Sequence, residues 1–275
     1  MRRVHITAWA GMLIAVLLAG CAGPAGRDGA AEIDKVMAGA HRSEANRARD
    51  VHRHPKETLQ FFGVRADTTV VEIWPGGGWY TEILAPMLRE KGRFYAAHFH
   101  VTEKSPKYMG PARANFLKTM ALRPDLYDRV TVTALHAPAV TEIAPRGSAD
   151  IVLTFRNVHN WTAAKNDEAM FKTFYDALKP GGTLGVVEHR ANPGTTLEQQ
   201  IKTGYMTEAY VISLAEKAGF RLAGRSEVNG NPKDTRDHPF GVWTLPPVRR
   251  SSPRGEAFDP RFDHTKYDAI GESDR

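Results

Sequence analysis

Cysteine is nearly absent from this 275-residue chain, in which Cys21 is the only one. An intramolecular disulfide is therefore excluded, and so is a zinc site built from cysteines. Histidines occur in two close pairs, but they have no carboxylates at ligand spacing beside them, and we predict no metal site. These histidines are His52, His54, His98 and His100.

The N-terminal apolar run, from Ile6 to Leu18, is too short to cross a bilayer. It follows Arg2 and Arg3 and has the length of the apolar part of a signal peptide. The formal net charge is +6, and it becomes +4 without residues 1–20, because that segment contains two arginines and no acidic residue. So small an excess of positive charge does not indicate a nucleic-acid partner.

The end of this apolar run, Leu18-Ala19-Gly20-Cys21, resembles a bacterial lipobox, in which the cysteine is acylated and becomes the first residue after cleavage. The resemblance implies a signal peptide over residues 1–20, a lipid anchor at Cys21 and a location in the cell envelope facing the periplasm. Several acyl chains give durable anchoring. Ala22 favours the outer membrane. The alternative is an uncleaved anchor with an incidental cysteine.

The most informative segment extends from Val70 to Pro86 and reads VVEIWPGGGWYTEILAP. An apolar β-branched run that contains Glu72 meets Gly76, Gly77 and Gly78 and passes directly into a helical pattern. Glycine adopts backbone angles that a Cβ forbids and lets a ligand approach the main chain closely. A strand that leads through glycines into a helix N-terminus is typical of a site for a nucleotide-like ligand.

Strand and helix patterns alternate after this point, which predicts an α/β, Rossmann-like, doubly wound and mostly parallel sheet of six to seven strands, covered on both faces. The predicted strands are Thr69–Ile73, Arg93–His98, Val130–Ala134, Asp150–Phe155, Thr183–Glu188 and Arg221–Val228, with Gly241–Leu245 as the candidate for a seventh. The main predicted helices are Ala31–Gly39, Trp79–Lys91, Pro111–Leu122, Glu168–Leu178 and Thr207–Ala218.

Composition and pattern also predict the organisation of the chain. After the signal segment, residues 21–30 are expected to form a tether, because they are small and contain glycine and proline. A helical extension is expected over residues 31–54 and the α/β domain over residues 55–245. Residues 246–275 show little periodicity and are expected to be irregular, ending before a last strand.

Four segments, in order, resemble class I S-adenosylmethionine-dependent methyltransferases. The first resembles their acidic residue followed by Gly-x-Gly-x-Gly, with Trp74 at the first glycine position. The others are SADIVLTFRNVHNW, LKPGGTLGVVE and the stretch that ends in AGF, at 148–161, 178–188 and 207–220. The resemblance covers residues 55–228, and the WPGGGWYTE motif is similar to that of a group of predicted bacterial methyltransferases.

The resemblance implies S-adenosylmethionine as the cofactor. Its methionine portion is expected at Gly76, Gly77 and Gly78, with Glu72 favouring its ammonium group and Trp74 reshaping the loop. The family places a carboxylate for the ribose hydroxyls at the end of the second strand, where this chain has His98. A histidine does not offer paired acceptors. His98 is therefore either a ligand contact or a solvated loop residue.

Polar side chains follow the fourth predicted strand, where ligands bind in open α/β sheets. His159 is the candidate general base for an acceptor O–H or N–H. Asn157 is the candidate contact to cofactor or acceptor, and Arg156 is expected to hold an anionic acceptor. The alternative is that Asn157 and His159 cap the following turn. Glu188-His189-Arg190, after the fifth strand, is also expected to face the acceptor.

The favoured function is a lipid-anchored methyltransferase acting on a small molecule or an envelope component. The alternative is a non-catalytic, lipid-anchored ligand-binding protein on the same fold, which export favours because S-adenosylmethionine is made in the cytoplasm. A dinucleotide oxidoreductase is a third reading. The glycine spacing speaks against it, because Thr81 stands at the final glycine of Gly-x-Gly-x-x-Gly.

Overall fold

Five parallel strands form the central sheet of the computed structural model, which describes residues 24–253, 256–257, 259–268 and 270. The strands are β1 (Thr69–Ile73), β2 (Arg93–Phe99), β3 (Val130–Leu135), β4 (Ala149–Phe155) and β5 (Leu178–Val187). Their order in the sheet is β3-β2-β1-β4-β5. Cys21 and the predicted signal segment lie outside the described residues.

Helices connect the strands and cover the sheet. They are α1 (Pro24–Met37), α2 (Glu44–Arg47), α3 (Asp50–Arg53), α4 (Pro55–Phe61), α5 (Thr81–Leu88), α6 (Met109–Leu122), α7 (Pro124–Tyr127), α8 (Val158–Ala163), α9 (Asp167–Ala177), α10 (Leu197–Thr203), α11 (Glu208–Ala218) and α12 (Thr265–Asp268), with a 3-10 helix at Gly241–Thr244. Within the described part of the chain, no helix combines the length and apolarity that a membrane span requires.

Two hydrophobic clusters lie on opposite faces of the sheet, as the continuous apolar strands predict. One cluster packs α5 and α6 against the sheet through Ile83, Leu84 and Phe116. The other packs α8 and α9 through Trp161 and Phe174. All of these side chains are fully buried or nearly so. The predicted α/β architecture, with a parallel sheet between two helical layers, is confirmed.

The order in which strands are added to the sheet changes sides between β3 and β4. From β1 it extends through β2 to β3, and it then returns to place β4 on the other side of β1. The pairing aligns Ile73 with Ala97 on one side and with Thr154 on the other. The carboxyl ends of β1, β2 and β4 therefore meet at a topological switch point, where open α/β sheets bind ligands.

The prediction of six to seven strands is wrong, because the described residues form five. The sixth predicted strand, Arg221–Val228, is irregular. Most of its residues are exposed, including Leu222, so it buries no apolar face that would stabilise a strand. The seventh candidate, Gly241–Leu245, is a 3-10 helix in which the Thr244 hydroxyl accepts from the Phe240 N–H at 2.9 Å.

The predicted tether over residues 21–30 also differs from the structure. Helix α1 begins at Pro24, seven residues before the predicted start at Ala31. Proline is favoured in the first turn of a helix, where its missing N–H has no partner to lose. Ile33 and Val36 are buried against the core, and this packing stabilises a helix that its small residues alone do not indicate.

Candidate functional site

The loop between β1 and α5 uses left-handed backbone angles at three positions. They are Trp74 (φ 50°), Gly76 (φ 59°) and Gly78 (φ 86°). A Cβ placed on Gly76 or Gly77 would have no atom within 4 Å, so both glycines border open space at the carboxyl end of β1. The backbone of the loop is therefore open to close approach at Gly76 and Gly77, and the binding of a ligand there stays a prediction.

Gly78 serves a different purpose in the same loop. A Cβ at this position would lie 3.2 Å from the ring of Phe116 and 3.5 Å from the Cβ of Thr81. Its N–H donates to the Pro75 carbonyl at 2.9 Å, which closes the turn. Gly78 therefore lets α6 pack closely under the loop and also provides the left-handed angle that α5 needs to begin.

Glu72 lies within β1 and is 2% exposed. Its Oε2 accepts a hydrogen bond from the Thr81 hydroxyl at 2.7 Å. Burial raises the pKa of Glu72 to about 7, and the Thr81 hydrogen bond opposes that change. Burial makes the ionised form of this carboxylate unfavourable, and a neighbouring cation offsets that cost. The ammonium group expected beside Glu72 would be such a cation.

We expect Glu72→Gln to stabilise the ligand-free protein at high pH and to leave it unchanged at low pH. The folded protein keeps a proton on Glu72 up to about pH 7, whereas the unfolded chain loses it near 4.5. This carboxyl therefore contributes stability that is fully present below pH 4.5 and is lost as the pH rises to about 7. Its loss costs about 3 kcal/mol.

Urea unfolding of parent and variant checks this prediction. The free energies of unfolding should agree at about pH 3.5 to 4, and the variant should exceed the parent by about 3 kcal/mol at about pH 8. Equal free energies at both pH values would show that Glu72 ionises in the folded protein as it does in the unfolded chain.

His98 lies at the end of β2, where the family resemblance places a ribose-binding carboxylate. Its Nδ1 accepts from the Phe99 N–H at 2.8 Å, so Nε2 carries the proton and donates to the Gly76 carbonyl at 3.1 Å. The side chain is fully buried, and burial lowers its pKa to about 4, with Arg113 adding to the effect. His98 is thus neutral, and its hydrogen bond to Gly76 holds the glycine loop in place. Neither ring nitrogen is available to a ribose hydroxyl.

The segment predicted as a polar loop after β4 is the start of helix α8. Arg156 has φ 60° and donates its backbone N–H to the Val187 carbonyl at 2.7 Å. The Asn157 side-chain nitrogen donates to the Ile73 carbonyl at 3.1 Å and to the Thr154 hydroxyl at 3.3 Å. Asn157 makes no side-chain cap to α8, so the capping alternative is wrong for it. Instead it joins the ends of β4 and β1.

His159 is paired with a buried carboxylate that follows β5. Its Nδ1 lies 3.0 Å from Oε1 of Glu188, and its backbone N–H donates to Oε2 at 3.3 Å. An ionised carboxylate only accepts hydrogen bonds, so Nδ1 carries the proton and Nε2 is the acceptor nitrogen. Burial raises the pKa of Glu188, but His159 and His189 outweigh burial and hold that pKa below its usual range.

Aromatic rings enclose the His159–Glu188 pair. The His159 ring lies 5.7 Å from Trp243 and 6.0 Å from His189, and His189 lies 6.1 Å from Tyr205. His159 and Glu188 are each at most 6% exposed. Low polarity strengthens the interaction between the imidazole and the carboxylate, and this interaction holds His159 in one tautomer.

The second half of the WPGGGWYTE motif fastens the N-terminal helices, a role that sequence reasoning missed. The Trp79 indole donates to the Asn46 carbonyl at 3.0 Å, and the Arg53 guanidinium lies 4.7 Å from the centre of its ring. The Asn46 side chain donates to Oε1 of Glu82 at 2.7 Å. The motif therefore combines a ligand loop with an attachment point for the segment before it.

The described residues contain no group of three or more histidine, cysteine or acidic side chains that is arranged to hold a metal ion.

No family model and no curated protein matches the chain. Solved structures do. An S-adenosylmethionine-dependent methyltransferase from Aquifex aeolicus is 19% identical, with 71% of this chain and 90% of that protein covered and a TM-score of 0.48. The [4+2]-cyclase SpnF is 17% identical, with 68% and 63% covered and a TM-score of 0.50. Human N-acetylserotonin methyltransferase, solved with S-adenosylmethionine, is 15% identical, with 71% and 52% covered and a TM-score of 0.44.

The sheet order defines a Rossmann-like, doubly wound α/β fold, and the likeness to SpnF supports that fold. The chain spans about half to two thirds of the length of the last two proteins. The structural neighbours include methyltransferases named for different substrates, among them phosphoethanolamine, arsenic(III) and N-acetylserotonin. A cyclase is among them as well, so the fold alone does not decide the reaction.

Proposed function

We propose that this chain is an S-adenosylmethionine-dependent methyltransferase in which His159 accepts a proton from the acceptor. The observation that carries the proposal is the buried pair of His159 and Glu188, with 3.0 Å between Nδ1 and Oε1. The pair is close to the glycine loop, because Asn157 in the same turn bonds the Ile73 carbonyl and Trp161 packs against Trp74.

The residues present fit the cofactor at two points. Gly76 and Gly77 leave space that a Cβ would fill, which suits the methionine portion, and Glu72 suits its ammonium group. When bound, the cofactor supplies an electrophilic methyl group on a sulfonium. Positioning and the local charges are then the main contributions of the protein.

The chain's own contribution to chemistry is proton transfer. Nε2 of His159 would take the proton that the acceptor oxygen or nitrogen loses when it is methylated. Glu188 accepts from Nδ1–H throughout and stabilises the imidazolium that forms. Arg156 is proposed to hold an anionic acceptor beside this pair.

A specific observation favours the second candidate, a non-catalytic ligand-binding protein on the same fold. The end of β2 has no carboxylate for the ribose, and both nitrogens of His98 are engaged in bracing the loop. Melting curves of the full chain in detergent test the binding that the enzyme requires, since a ligand that binds only the native state raises the midpoint, and methyl transfer to an acceptor then separates the enzyme from the binding protein. The enzyme requires a shift with S-adenosylmethionine and S-adenosylhomocysteine but not with NAD. If none of the three compounds raises the midpoint, the chain does not bind S-adenosylmethionine, either as an enzyme or as a non-catalytic binding protein.

We propose a lipid anchor at Cys21, in the cell envelope and facing the periplasm. The support is the Leu18-Ala19-Gly20-Cys21 segment behind a basic and apolar leader. Mass spectrometry of the N-terminal peptide from membrane fractions should find a chain that begins with acylated Cys21. An intact Met1 terminus or an unmodified Cys21 would contradict the anchor.

A further inference from the structure

Trp74 stands where related loops have glycine, and its backbone adopts φ 50°. A bulky side chain in the left-handed region is strained, and such strain persists where the surrounding structure or a ligand compensates for it. The Trp74 N–H donates to the Ala97 carbonyl at 2.9 Å, which holds the backbone in this conformation at the end of β1.

The Trp74 ring extends across the carboxyl end of β1. It lies 4.9 Å from Phe99, at the end of β2, and 5.6 Å from Trp161 in α8, with edge-to-face geometry in both cases. The ring therefore spans the switch point, next to the open space that borders Gly76 and Gly77.

The indole nitrogen of Trp74 is buried, yet among the described residues it has no hydrogen-bond partner. Buried indole N–H groups normally find an acceptor, and an unpaired one is destabilising. The His98 ring does not supply that acceptor, because its Nδ1 accepts from the Phe99 N–H and its Nε2 donates to the Gly76 carbonyl.

We propose that Trp74 determines the specificity of the glycine loop by donating its indole N–H to an oxygen of the bound ligand. The inference rests on the proposed function, in which that ligand is S-adenosylmethionine, and the oxygen belongs to its carboxylate or to its ribose. In this role Trp74 adds a hydrogen-bond donor to a site in which the end of β2 has no carboxylate.

The test compares Trp74→Phe with Trp161→Phe in the full chain in detergent. Both changes remove a buried indole N–H without a partner, but Trp161 is fully buried in the core whereas Trp74 is partly exposed. Calorimetric titration with S-adenosylhomocysteine should show affinity about 3- to 30-fold weaker for Trp74→Phe. Affinity of Trp161→Phe should stay within about twofold of the parent.

A second variant keeps the shape of the ring. It carries 3-benzothienylalanine at position 74, which replaces the N–H by sulfur. We expect the same loss of affinity, with a ligand-free melting temperature equal to or above that of the parent, because removing an unpaired buried donor does not destabilise. A lower ligand-free melting temperature would show that the N–H has a partner in the free protein and would overturn the proposal.

Titration with 5′-methylthioadenosine, which lacks the amino acid portion, locates the oxygen. A loss of affinity for both ligands places it on the nucleoside, and a loss for S-adenosylhomocysteine alone places it on the carboxylate. If Trp74→Phe binds S-adenosylhomocysteine as well as the parent does, the inference is wrong and the proposed function stands. If the parent chain does not bind S-adenosylhomocysteine, the proposed function is wrong, and this inference is wrong with it.

Discussion

Gly78→Val is expected to abolish the binding of S-adenosylmethionine while the protein remains folded. Gly78 has φ 86°, which a β-branched residue adopts only under strain, and its Cβ would lie 3.2 Å from the Phe116 ring. Relief of both conflicts requires the loop to move away from the conformation in which its backbone faces the ligand. The thermal shift produced by S-adenosylmethionine in the parent should disappear.

Gly194→Val is the matched control for backbone strain. Gly194 has φ 83°, and a Cβ there would meet nothing within 4 Å. It lies outside the candidate site, so its variant should lose about 1–2 kcal/mol of stability and retain the ligand-induced shift. Circular dichroism establishes that both variants are folded. A folded Gly78→Val protein that still binds S-adenosylmethionine would place the ligand elsewhere.

His159→Ala is expected to lower methyl transfer by about 10²- to 10⁴-fold and to leave the affinity for S-adenosylhomocysteine nearly unchanged. His159 is paired with Glu188 and lies beyond β4, whereas the glycine loop follows β1. Removing the imidazole therefore takes away the proton acceptor without altering the backbone that the cofactor contacts.

The measurement is transfer of a radioactive methyl group from S-adenosylmethionine to a panel of phenols, amines and envelope extracts. The acceptor with the highest rate for the parent is used for the variants. His136→Ala serves as the control, because His136 is exposed and follows β3 at the edge of the sheet. Turnover of His159→Ala equal to that of the control would leave His159 with a packing role.

Sequence pattern was sufficient to locate five strands along the chain, although β5 begins at Leu178, five residues before the predicted start at Thr183. It failed for Arg221–Val228, in which the apolar side chains are only Leu222, Ala223 and Val228. Whether such a segment becomes a strand depends on a neighbour with which to pair and an apolar face to bury, and Leu222 remains exposed here. Pattern also missed helix α8, because its first turn is rich in polar residues.

The candidate site was predictable in its position but only partly in its contacts. The order of motifs placed Glu72, the glycines and His159 at the carboxyl edge of one sheet. The pairing of His159 with Glu188 depends on the register that aligns Phe155 with Val187, and no local pattern encodes that register. The role of His98 was equally unpredictable from the sequence, because it depends on a hydrogen bond to the Gly76 carbonyl, 22 residues away.

The central claim is that the loop from Trp74 to Gly78 binds S-adenosylmethionine. A crystal structure of the chain grown with S-adenosylhomocysteine tests it most directly. The account predicts the amino acid portion of the ligand against the backbone of Gly76 and Gly77, with its ammonium group directed toward Glu72. Ligand density elsewhere in the protein would contradict the claim. So would crystals grown with saturating ligand in which the loop keeps its present conformation and has no ligand density beside it.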